Sequence, residues 1–396
     1  MKNLLFVFSI TLVFFPTWAD SSGDVTERAN QMAKEMIIVD GHIDVPYRVF
    51  DQWEDVSIAT EAGDFDYPRA KAGGLNAPFM SIYIPAKQDD SEKSIQTAHV
   101  LIDSIEALVQ RSKGKFAIAK SPKDIRQHYR QNKISLPLGM ENGSPIQGEL
   151  SRLKTFYDRG IRYITLTHAK SNHISDSSYD DDKKWQGLSP FGEQVVAEMN
   201  RLGIMVDISH VSDDAFWDAL KISKVPMIAS HSSARHFTPG FERNMSDKMI
   251  QALAKADGII MVNFGSTFLT AKARQWSDTQ SLVKQRLEKE FGKDSPELNG
   301  FSTKYRYENP LPFADLSDVL DHIDHIVKIA GIEAVGLGSD YDGVGDSLPS
   351  NLKSVADYPK LIDGLIQRGY KDSDIEKILG ENLLRVWQTV ETHANK

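Results

Sequence analysis

The chain has 396 residues, of which 41% are hydrophobic, so it can form one large domain or two medium ones with a substantial core. Its formal net charge of −9, without a basic stripe, argues against nucleic acid or an anionic membrane as the partner. The chain has no cysteine, which excludes disulfides, thiolate metal ligands, a cysteine nucleophile and a lipidated cysteine anchor.

Residues 1–19 have the pattern of a secretory signal peptide. Lys2 precedes the apolar run Leu4–Phe15, and Pro16–Ala19 then offers small residues at the positions that a signal peptidase reads. The apolar run is shorter than the ~20 residues that a membrane helix needs. No later segment is apolar enough to cross a bilayer. Residues 20–396 are therefore expected to form a single catalytic domain that is exported, either to a periplasm or outside the cell.

The first predicted strand, Met36–Asp44, is an apolar run that passes through Gly41 into a His-x-Asp pair. Side chains alternate along a strand, so His42 and Asp44 point to the same side. An imidazole and a carboxylate aimed at one point suit a divalent metal that takes nitrogen and oxygen ligands. Taken alone, such a pair is more often a histidine that caps a turn beside a solvated aspartate. The metal interpretation is favoured because similar residues recur at the ends of later strands.

Seven further strands are predicted, mostly separated by helices. They are Asn76–Pro85, Ile134–Glu141, Arg162–His168, Ile204–His210, Val225–His231, Gly258–Phe264 and Ala334–Asp340. The predicted helices are Asp24–Lys34, Ser91–Gln110, Leu150–Arg159, Phe191–Leu202, Asp213–Lys221, Asp247–Ala256, Leu316–Ala330, 357–369 and 373–392. Residues 45–75 are predicted as loop, and residues 266–313 as a mostly polar insertion with a helical patch. Continuous apolar strands between helices indicate a parallel sheet covered on both faces, and eight βα units favour a closed (β/α)8 TIM barrel.

Metal-binding residue types recur at the carboxyl ends of these strands. They are His42, Asp44, Glu141, His168, His210, His231 and Asp340. Because these strand ends form the catalytic face of an α/β barrel, the seven side chains are expected to converge there. Their number exceeds the ligands of one tetrahedral ion, so two ions that share a carboxylate are expected. Zn²⁺ is the first expectation without thiolates, and Mn²⁺ or Co²⁺ remain open. The other histidines are expected at solvated positions: His99, His128, His173, His236, His322, His325 and His393.

Six motifs, in chain order, resemble the membrane (renal-type) dipeptidase family of metallopeptidases. They are Asp40-Gly-His42-Ile-Asp44, Gly139-Met-Glu141-Asn142, Leu166-Thr-His168, Asp207-Ile-Ser-His210, Ser230-His231-Ser-Ser-Ala234 and Gly338-Ser-Asp340-Tyr-Asp-Gly343. The resemblance implies a (β/α)8 barrel of the amidohydrolase type with a binuclear zinc centre, and it suggests a homodimer. One departure is Asn142, which stands where many relatives carry glycine after the glutamate.

The resemblance also implies the roles of the metal ligands. It assigns His42 and Asp44 to one zinc ion and His210 and His231 to the other. Glu141 would bridge the two ions. These assignments agree with the expectation of a shared carboxylate.

Three further residues match substrate-contacting and catalytic positions of the family, namely His168, Arg243 and Asp340. The expected function is hydrolysis of the peptide bond of dipeptides by a hydroxide that bridges the two metal ions. In this scheme His168 donates to the oxyanion, Arg243 holds the terminal carboxylate and Asp340 moves the proton.

Two alternatives remain open at the level of the sequence. One is another amidohydrolase-type reaction, on a lactone, a cyclic amide or an N-acyl amino acid. The other is a binding protein on the same scaffold, although no ligand-type residue is missing. A serine hydrolase built on Ser230 and His231 is not expected, because adjacent residues on a strand point to opposite faces.

Overall fold

Eight parallel strands close into a barrel in the computed structural model, which describes residues 26–293 and 295–394. The strands are β1 (Ile38–Ile43), β2 (Leu75–Tyr83), β3 (Phe116–Ile118), β4 (Ile134–Leu136), β5 (Leu138–Glu141), β6 (Ile161–Thr165), β7 (Met205–Asp207), β8 (Ile228–Ala229), β9 (Ile259–Val262) and β10 (Val335–Leu337). The order around the barrel is β1, β10, β9, β8, β7, β6, β5 and β2. The predicted (β/α)8 barrel is thus confirmed. The predicted signal peptide, residues 1–19, lies outside the described residues.

Helices surround the barrel and fill the connections between its strands. They are α1 (Glu27–Glu35), α2 (Val45–Asp51), α3 (Tyr67–Gly73), α4 (Lys93–Arg111), α5 (Pro122–Arg130), α6 (Ser151–Asp158), α7 (Pro190–Leu202), α8 (Asp213–Ile222), α9 (Asp247–Lys255), α10 (Ser266–Leu269), α11 (Ala271–Phe291), α12 (Phe301–Glu308), α13 (Leu316–Ala330), α14 (Tyr358–Gln367), α15 (Asp372–Glu376) and α16 (Asn382–Ala394). A π-helical turn, Lys377–Glu381, joins the last two. None of the helices in the described part of the chain has the length and apolarity that crossing a membrane requires.

Serine caps fix where three of the outer helices begin. Ser189, Ser212 and Ser246 precede α7, α8 and α9, and each hydroxyl accepts a hydrogen bond from the backbone N–H three residues later. A cap of this kind stabilises a helix by ~1 kcal/mol. Because the cap is a local signal, the predicted bounds of these three helices agree with the observed ones to within one residue.

Alternate residues of the barrel strands pack into two separate layers. Val39, Phe79 and Met261 belong to an inner cluster that α16 joins through its buried Trp387. The ring of Trp387 lies 5.3 Å from that of Phe79. The intervening strand residues pack in a larger outer cluster together with the surrounding helices. Helix α16 therefore packs against the inner layer of the barrel, which leaves the carboxyl ends of the strands to form the site.

The prediction of loop for residues 45–75 is wrong, because α2 and α3 lie there. Both helices carry a proline in their first turn, Pro46 and Pro68, where no backbone N–H partner is required. The carboxylate of Asp66 caps α3 by accepting a hydrogen bond of 2.8 Å from the Arg69 backbone N–H. Both prolines therefore mark the start of a helix.

The predicted strand Ile134–Glu141 is divided at Pro137. Its first part, β4, pairs with β3 in a separate two-stranded sheet, and only its second part, β5, enters the barrel. Proline has no backbone N–H and cannot continue the ladder of hydrogen bonds. The short strand β3 and helix α5 were not predicted.

Residues 266–313 are more helical than predicted, since α10, α11 and α12 occupy most of the segment. Ala273 is the buried residue of the long helix α11, whose remaining surface is largely exposed. The indole N–H of Trp276 donates to the carbonyl of Asn309 at 2.8 Å, and its ring lies against that of Tyr305. These contacts hold α11 beside α12 as an outer excursion of the barrel.

The packing of α16 predicts a large effect of Trp387→Ala. Removal of this fully buried ring should lower the free energy of unfolding by about 3–5 kcal/mol, because it leaves a cavity beside the inner layer. The control Trp217→Ala removes a ring that is 42% exposed and should change that free energy by about 0.5 kcal/mol or less. Urea unfolding followed by circular dichroism measures both. Equal losses would contradict the packing of α16 against the inner layer of the barrel.

Candidate active site and metal centre

Seven of the predicted site residues lie at the C-terminal ends of barrel strands. They are His42 in β1, Asp44 directly after it, Glu141 at the end of β5, His168 after β6, His210 after β7, His231 after β8 and Asp340 after β10. The strands are shorter than predicted, so the last four residues lie two or three positions beyond them. The barrel nevertheless brings all seven side chains to one face.

The Glu141 carboxylate lies at the centre of this face, among four imidazoles. Its Oε2 is 3.3 Å from Nε2 of His42. Its Oε1 is 3.1 Å from Nε2 of His210, 3.3 Å from that of His231 and 3.5 Å from that of His168. The two carboxylate oxygens therefore face different histidines, which is the arrangement of a carboxylate that can be shared between two ions.

Asp44 and Asp340 complete the His42 side of the site. Nε2 of His42 is 3.4 Å from Oδ2 of Asp44, as the alternation along the first strand predicted. A Cβ atom at Gly343 would lie 2.2 Å from Oδ1 of Asp340 and equally close to Oδ2 of Asp44. Glycine at 343 therefore leaves the space that brings these two carboxylates together.

Asn263, directly after β9, was missed in the sequence. Its side-chain amide donates to Oδ2 of Asp340 at 2.7 Å and accepts from the Gly265 backbone N–H at 2.7 Å. The signal was present, because Asn263 is a polar residue near the end of an apolar strand, as the other site residues are. Asn263 holds the Asp340 carboxylate in place.

Three site positions have backbone conformations that L-residues seldom adopt. His210 has φ +70°, Asp340 has φ +63° and Asn142 has φ +83°. Residues held in this region cost free energy and cluster at functional sites, whereas asparagine and glycine tolerate it best. This explains the departure at 142, because asparagine can replace the family glycine in a left-handed conformation.

Partners below the site engage the second ring nitrogen of two histidines. Nδ1 of His42 is 2.7 Å from the hydroxyl of Tyr163. Nδ1 of His231 is 2.7 Å from the hydroxyl of Ser230, which donates to Asp207 at 2.6 Å. Such contacts orient imidazoles so that Nε2 is left to bind a metal.

The side chains of Ser230 and His231 are in contact. A serine hydrolase was not expected because adjacent residues on a strand point to opposite faces, and this contact shows that the reason was wrong. Their side chains meet because β8 ends at Ala229, so alternation along a strand does not apply to them. Ser230 is nevertheless fully buried and lies between Asp207 and His231. In a catalytic triad the histidine, and not the serine, occupies the middle position. Ser230 is thus placed to orient His231.

The protonation states of His210, His231 and Glu141 suit a metal centre. His42 differs, because burial lowers its pKa but the neighbouring Tyr163, Glu141 and Asp44 outweigh burial and hold that pKa well above its usual value. Burial holds the pKa of His210 and of His231 well below its usual value, and the charge of Arg243 acts in the same direction. Burial tends to raise the pKa of Glu141, but the charges of His42 and His168 outweigh it and place that pKa well below its usual value. Neutral imidazoles and an ionised carboxylate are the forms that bind metals.

The donor atoms themselves fit divalent ions. Three overlapping groups have ligand atoms within 4.8 Å of one another: His42 with Glu141 and His231, Glu141 with His168 and His210, and His42 with Asp44 and Asp340. Nε2 of His42 is buried without a hydrogen-bond partner among the described residues. Such an unpaired buried nitrogen is expected of a metal ligand.

A cavity of 710 Å³ opens above the centre and is lined by five of the predicted residues. They are Asp44, Glu141, His168, His210 and Asp340. Aromatic side chains that the sequence did not indicate form much of the rest of its wall, namely Tyr47, Tyr83, Tyr179 and Phe268. His42 and His231 are buried and do not line the cavity. The site thus combines a polar floor with an aromatic wall.

Arg243 is buried beside His231 and does not line this cavity. Its guanidinium donates to the Ser232 hydroxyl at 2.7 Å and to the His231 carbonyl at 2.9 Å. Its Nε has no partner, and no carboxylate pairs with it, within the described residues. A buried guanidinium without a counter-ion is suited to receiving an anionic group.

Asp342, the rival of Asp340, has a different environment. Its Oδ2 lies 3.0 Å from Nε of Arg48, and its Oδ1 accepts from the Asp64 backbone N–H at 2.6 Å. The chain turns at Asp340 and Asp342, where φ is positive, so the assumed strand alternation does not hold. The structure brings Asp340, and not Asp342, into the group with His42.

One of the histidines expected at the surface is buried instead. His322 in α13 accepts from the Ala234 backbone N–H at 3.0 Å, and its Nε2 lies 2.9 Å from the Leu269 carbonyl. Burial lowers its pKa to about 4. It is a structural residue that joins the loop after β8 to α10.

Comparisons with known proteins identify the family of this chain. The family model of the membrane dipeptidases (peptidase family M19) matches residues 26–396. The probable dipeptidase PvdM from Pseudomonas aeruginosa is 26% identical with a TM-score of 0.81, over 93% of this chain and 98% of that chain. A Rhodobacter sphaeroides metallo peptidase, liganded with a phosphinate mimic of the dipeptide L-Ala-D-Ala, is 23% identical with a TM-score of 0.74, over 90% of this chain and 99% of that chain.

A Pseudomonas aeruginosa amidohydrolase is 21% identical with a TM-score of 0.71, over 91% of this chain and 98% of that chain. At this identity the last two structures show a shared fold. The family match extends over nearly all of the sequence and agrees with the resemblance carried by the six motifs. This chain therefore belongs to the membrane dipeptidase family, peptidase family M19, and is a metal-dependent peptidase.

Proposed function

We propose that this protein is an exported zinc dipeptidase that hydrolyses the peptide bond of dipeptides at a binuclear centre. The observation that carries the proposal is the Glu141 carboxylate, whose two oxygens face His42 on one side and His210 with His231 on the other. In a barrel of the membrane dipeptidase family, this arrangement supports two ions with Glu141 between them.

The proposed ligands are His42 and Asp44 for one ion, His210 and His231 for the other, and Glu141 for both. His231 lies near both halves of the site, since its Nε2 is 2.9 Å from that of His210 and its ring stacks on His42 at 3.8 Å. The donor set of imidazoles and carboxylates favours Zn²⁺, with Mn²⁺ or Co²⁺ as alternatives. When bound, the ions would supply Lewis acidity toward the scissile carbonyl and would lower the pKa of a nearby water.

Asp340 is the proposed proton carrier. Burial, followed by the charge of Asp44, raises its pKa well above the usual value of an aspartate, so it readily accepts a proton at this position. Asn263 fixes one of its oxygens by a hydrogen bond of 2.7 Å. Asp340 can thus take a proton from the attacking water and deliver it to the leaving amine.

His168 and Arg243 are the proposed groups that recognise the substrate. The His168 side chain is 19% exposed and lines the cavity, which supports a role in donating to the oxyanion. Arg243 would hold the terminal carboxylate through guanidinium donors. A phosphinate dipeptide mimic bound to the Rhodobacter sphaeroides metallo peptidase supports a substrate of this size in such a barrel.

Export rests on the sequence pattern of residues 1–19. The homodimer suggested by the family resemblance stays a prediction. The alternative reaction on a lactone, a cyclic amide or an N-acyl amino acid is not favoured, because the family model that matches the chain describes dipeptidases.

Substrate turnover tests the proposed function. The purified protein should hydrolyse dipeptides with free termini and leave lactones, cyclic amides and N-acyl amino acids intact. Arg243→Ala should lower kcat/KM for free dipeptides by about tenfold to a hundredfold, because charge-assisted hydrogen bonds to the carboxylate are lost. Dipeptide C-terminal amides should be affected far less, and Arg243→Lys should fall between wild type and alanine. Equal losses on acids and amides would remove Arg243 from substrate recognition.

Metal content tests the bridging role of Glu141. The wild-type protein should hold about two ions per chain, and Glu141→Ala should lower the occupancy of both, because each loses a shared ligand. Asp51→Ala is the matched control, since Asp51 is an exposed carboxylate on the wall of the same cavity. Elemental analysis after gel filtration measures the content. Two retained ions in Glu141→Ala would mean that another group forms the bridge.

The role of Asp340 is separable from metal binding. Asp340→Asn preserves the shape of the side chain and removes the base, so kcat should fall by about a hundredfold or more. Metal content should remain near that of wild type. Asp342→Asn, two residues along and paired with Arg48, should cost about tenfold or less because it alters a neighbouring ion pair and not the proton carrier. Loss of metal in Asp340→Asn would instead identify Asp340 as a ligand.

A further inference from the structure

A second cluster of metal-binding residue types lies outside the cavity. His236 belongs to the 3-10 turn Arg235–Phe237, Asp247 is the first residue of α9, and His325 lies in α13. The ligand atoms of these three side chains lie within 4.8 Å of one another. Three elements that are distant in the sequence thus bring two imidazoles and a carboxylate to one point.

The rings of this cluster are held in place by packing. The His236 and His325 rings stack with centroids 4.2 Å apart and an angle of 19° between their planes. The Phe237 ring packs edge-on against both, at 4.9 Å and 5.6 Å. These contacts fix the direction of two imidazoles whose nitrogen atoms lie side by side.

An ion pair accounts for only part of this arrangement. Nε2 of His325 lies 2.8 Å from Oδ1 of Asp247, and this pair needs no third residue. His236 has ring contacts but no hydrogen bond from its imidazole within residues 26–293 and 295–394. Neither ring nitrogen is engaged in a hydrogen bond with the described residues, so the unprotonated nitrogen of His236 is free to bind a metal ion beside the pair of Asp247 and His325.

We propose that His236, Asp247 and His325 form a further binding site for a divalent transition-metal ion. Two imidazole nitrogens and one carboxylate oxygen are a donor set that Zn²⁺ accepts, with water to complete a tetrahedral shell. Asp247 has a side chain that is 44% exposed, so an ion can enter from solvent. The site shares no residue with the centre around Glu141 and binds its ion independently of it.

The position of this site gives it a structural consequence. His236 and Asp247 flank residues 237–246, and this segment carries Arg243. An ion bound to both residues and to His325 ties the two ends of the segment to α13. The bound ion therefore restrains the loop that carries Arg243, the residue proposed to hold the substrate carboxylate.

Equilibrium dialysis against Zn²⁺ tests the proposal without reference to catalysis. The wild-type protein should bind one more Zn²⁺ ion per chain than either His236→Ala or His325→Ala. This difference does not depend on how many ions the active site holds. Asp247→Asn should weaken the additional ion by about tenfold or more, because the anionic donor becomes neutral. His393→Ala, which changes a histidine in α16, should bind as wild type does.

His236→Ala is the decisive variant, because it leaves the pair of Asp247 and His325 intact. If Asp247 and His325 form an ion pair and no metal site, His236→Ala should have the same metal content as the wild type. Such a result would overturn the proposal. Hydrogen exchange gives a second measurement that does not depend on stoichiometry. Zn²⁺ should slow exchange in residues 236–247 of the wild type and leave that of His236→Ala unchanged. Equal slowing in both proteins would also overturn the site.

Discussion

The active site depends on a buried carboxylate, that of Glu141, which is surrounded by imidazoles. Its oxygens lie 3.1–3.5 Å from Nε2 of four histidines that come from four different strand ends. A buried charge costs several kcal/mol unless neighbouring groups compensate it. The strands are parallel and close into a barrel, so their carboxyl ends meet at one face. Glu141 is held there in register with Tyr83 of β2 and Thr165 of β6. The buried Glu141 carboxylate needs positive charge around it, and the closed barrel places the histidines where they can provide or bind that charge.

Two buried aspartates hold the strand ends in position around this centre. Asp40 accepts hydrogen bonds from the backbone N–H groups of His42 and Ser339 and from the hydroxyl of Tyr358, which joins β1 to the end of β10 and to α14. Asp207 accepts from the side chain of Thr165 and from both the backbone N–H and the hydroxyl of Ser230, which joins β6, β7 and β8. Each carboxylate accepts a hydrogen bond from a backbone N–H that lies just beyond the end of a strand, that of Ser339 after β10 or of Ser230 after β8. The positions of the histidines around Glu141 therefore depend on polar groups that do not line the cavity.

The sequence predicted the barrel and the residues on its catalytic face because both follow from local patterns. Apolar strands, capped helices and polar strand ends are each visible in a short window, and the closed barrel then follows from their number. The loop predicted for residues 45–75 is wrong because proline marks helix starts as well as turns, and Pro46 and Pro68 both lie in the first turn of a helix. The positive φ of His210 and Asp340, the contact between Ser230 and His231, and the hydrogen bond from Asn263 to Asp340 all arise after a strand has ended. Such features are set by tertiary contacts, so periodicity carries no information about them.

The charges around the cavity indicate how a dipeptide would be oriented in it. Asp44, Glu141 and Asp340 form a negative cluster, and two divalent ions bound as proposed would more than neutralise it. Arg243 adds a further positive charge that no carboxylate pairs with in the described residues. With two ions bound as proposed, the site would retain an excess of positive charge. A bound hydroxide would reduce this excess, and an anionic group of the substrate would balance the rest. The free carboxylate of a dipeptide meets this need, whereas an amide or a lactone does not. Under the proposed function, electrostatic balance thus favours a substrate that carries a free carboxylate at this centre.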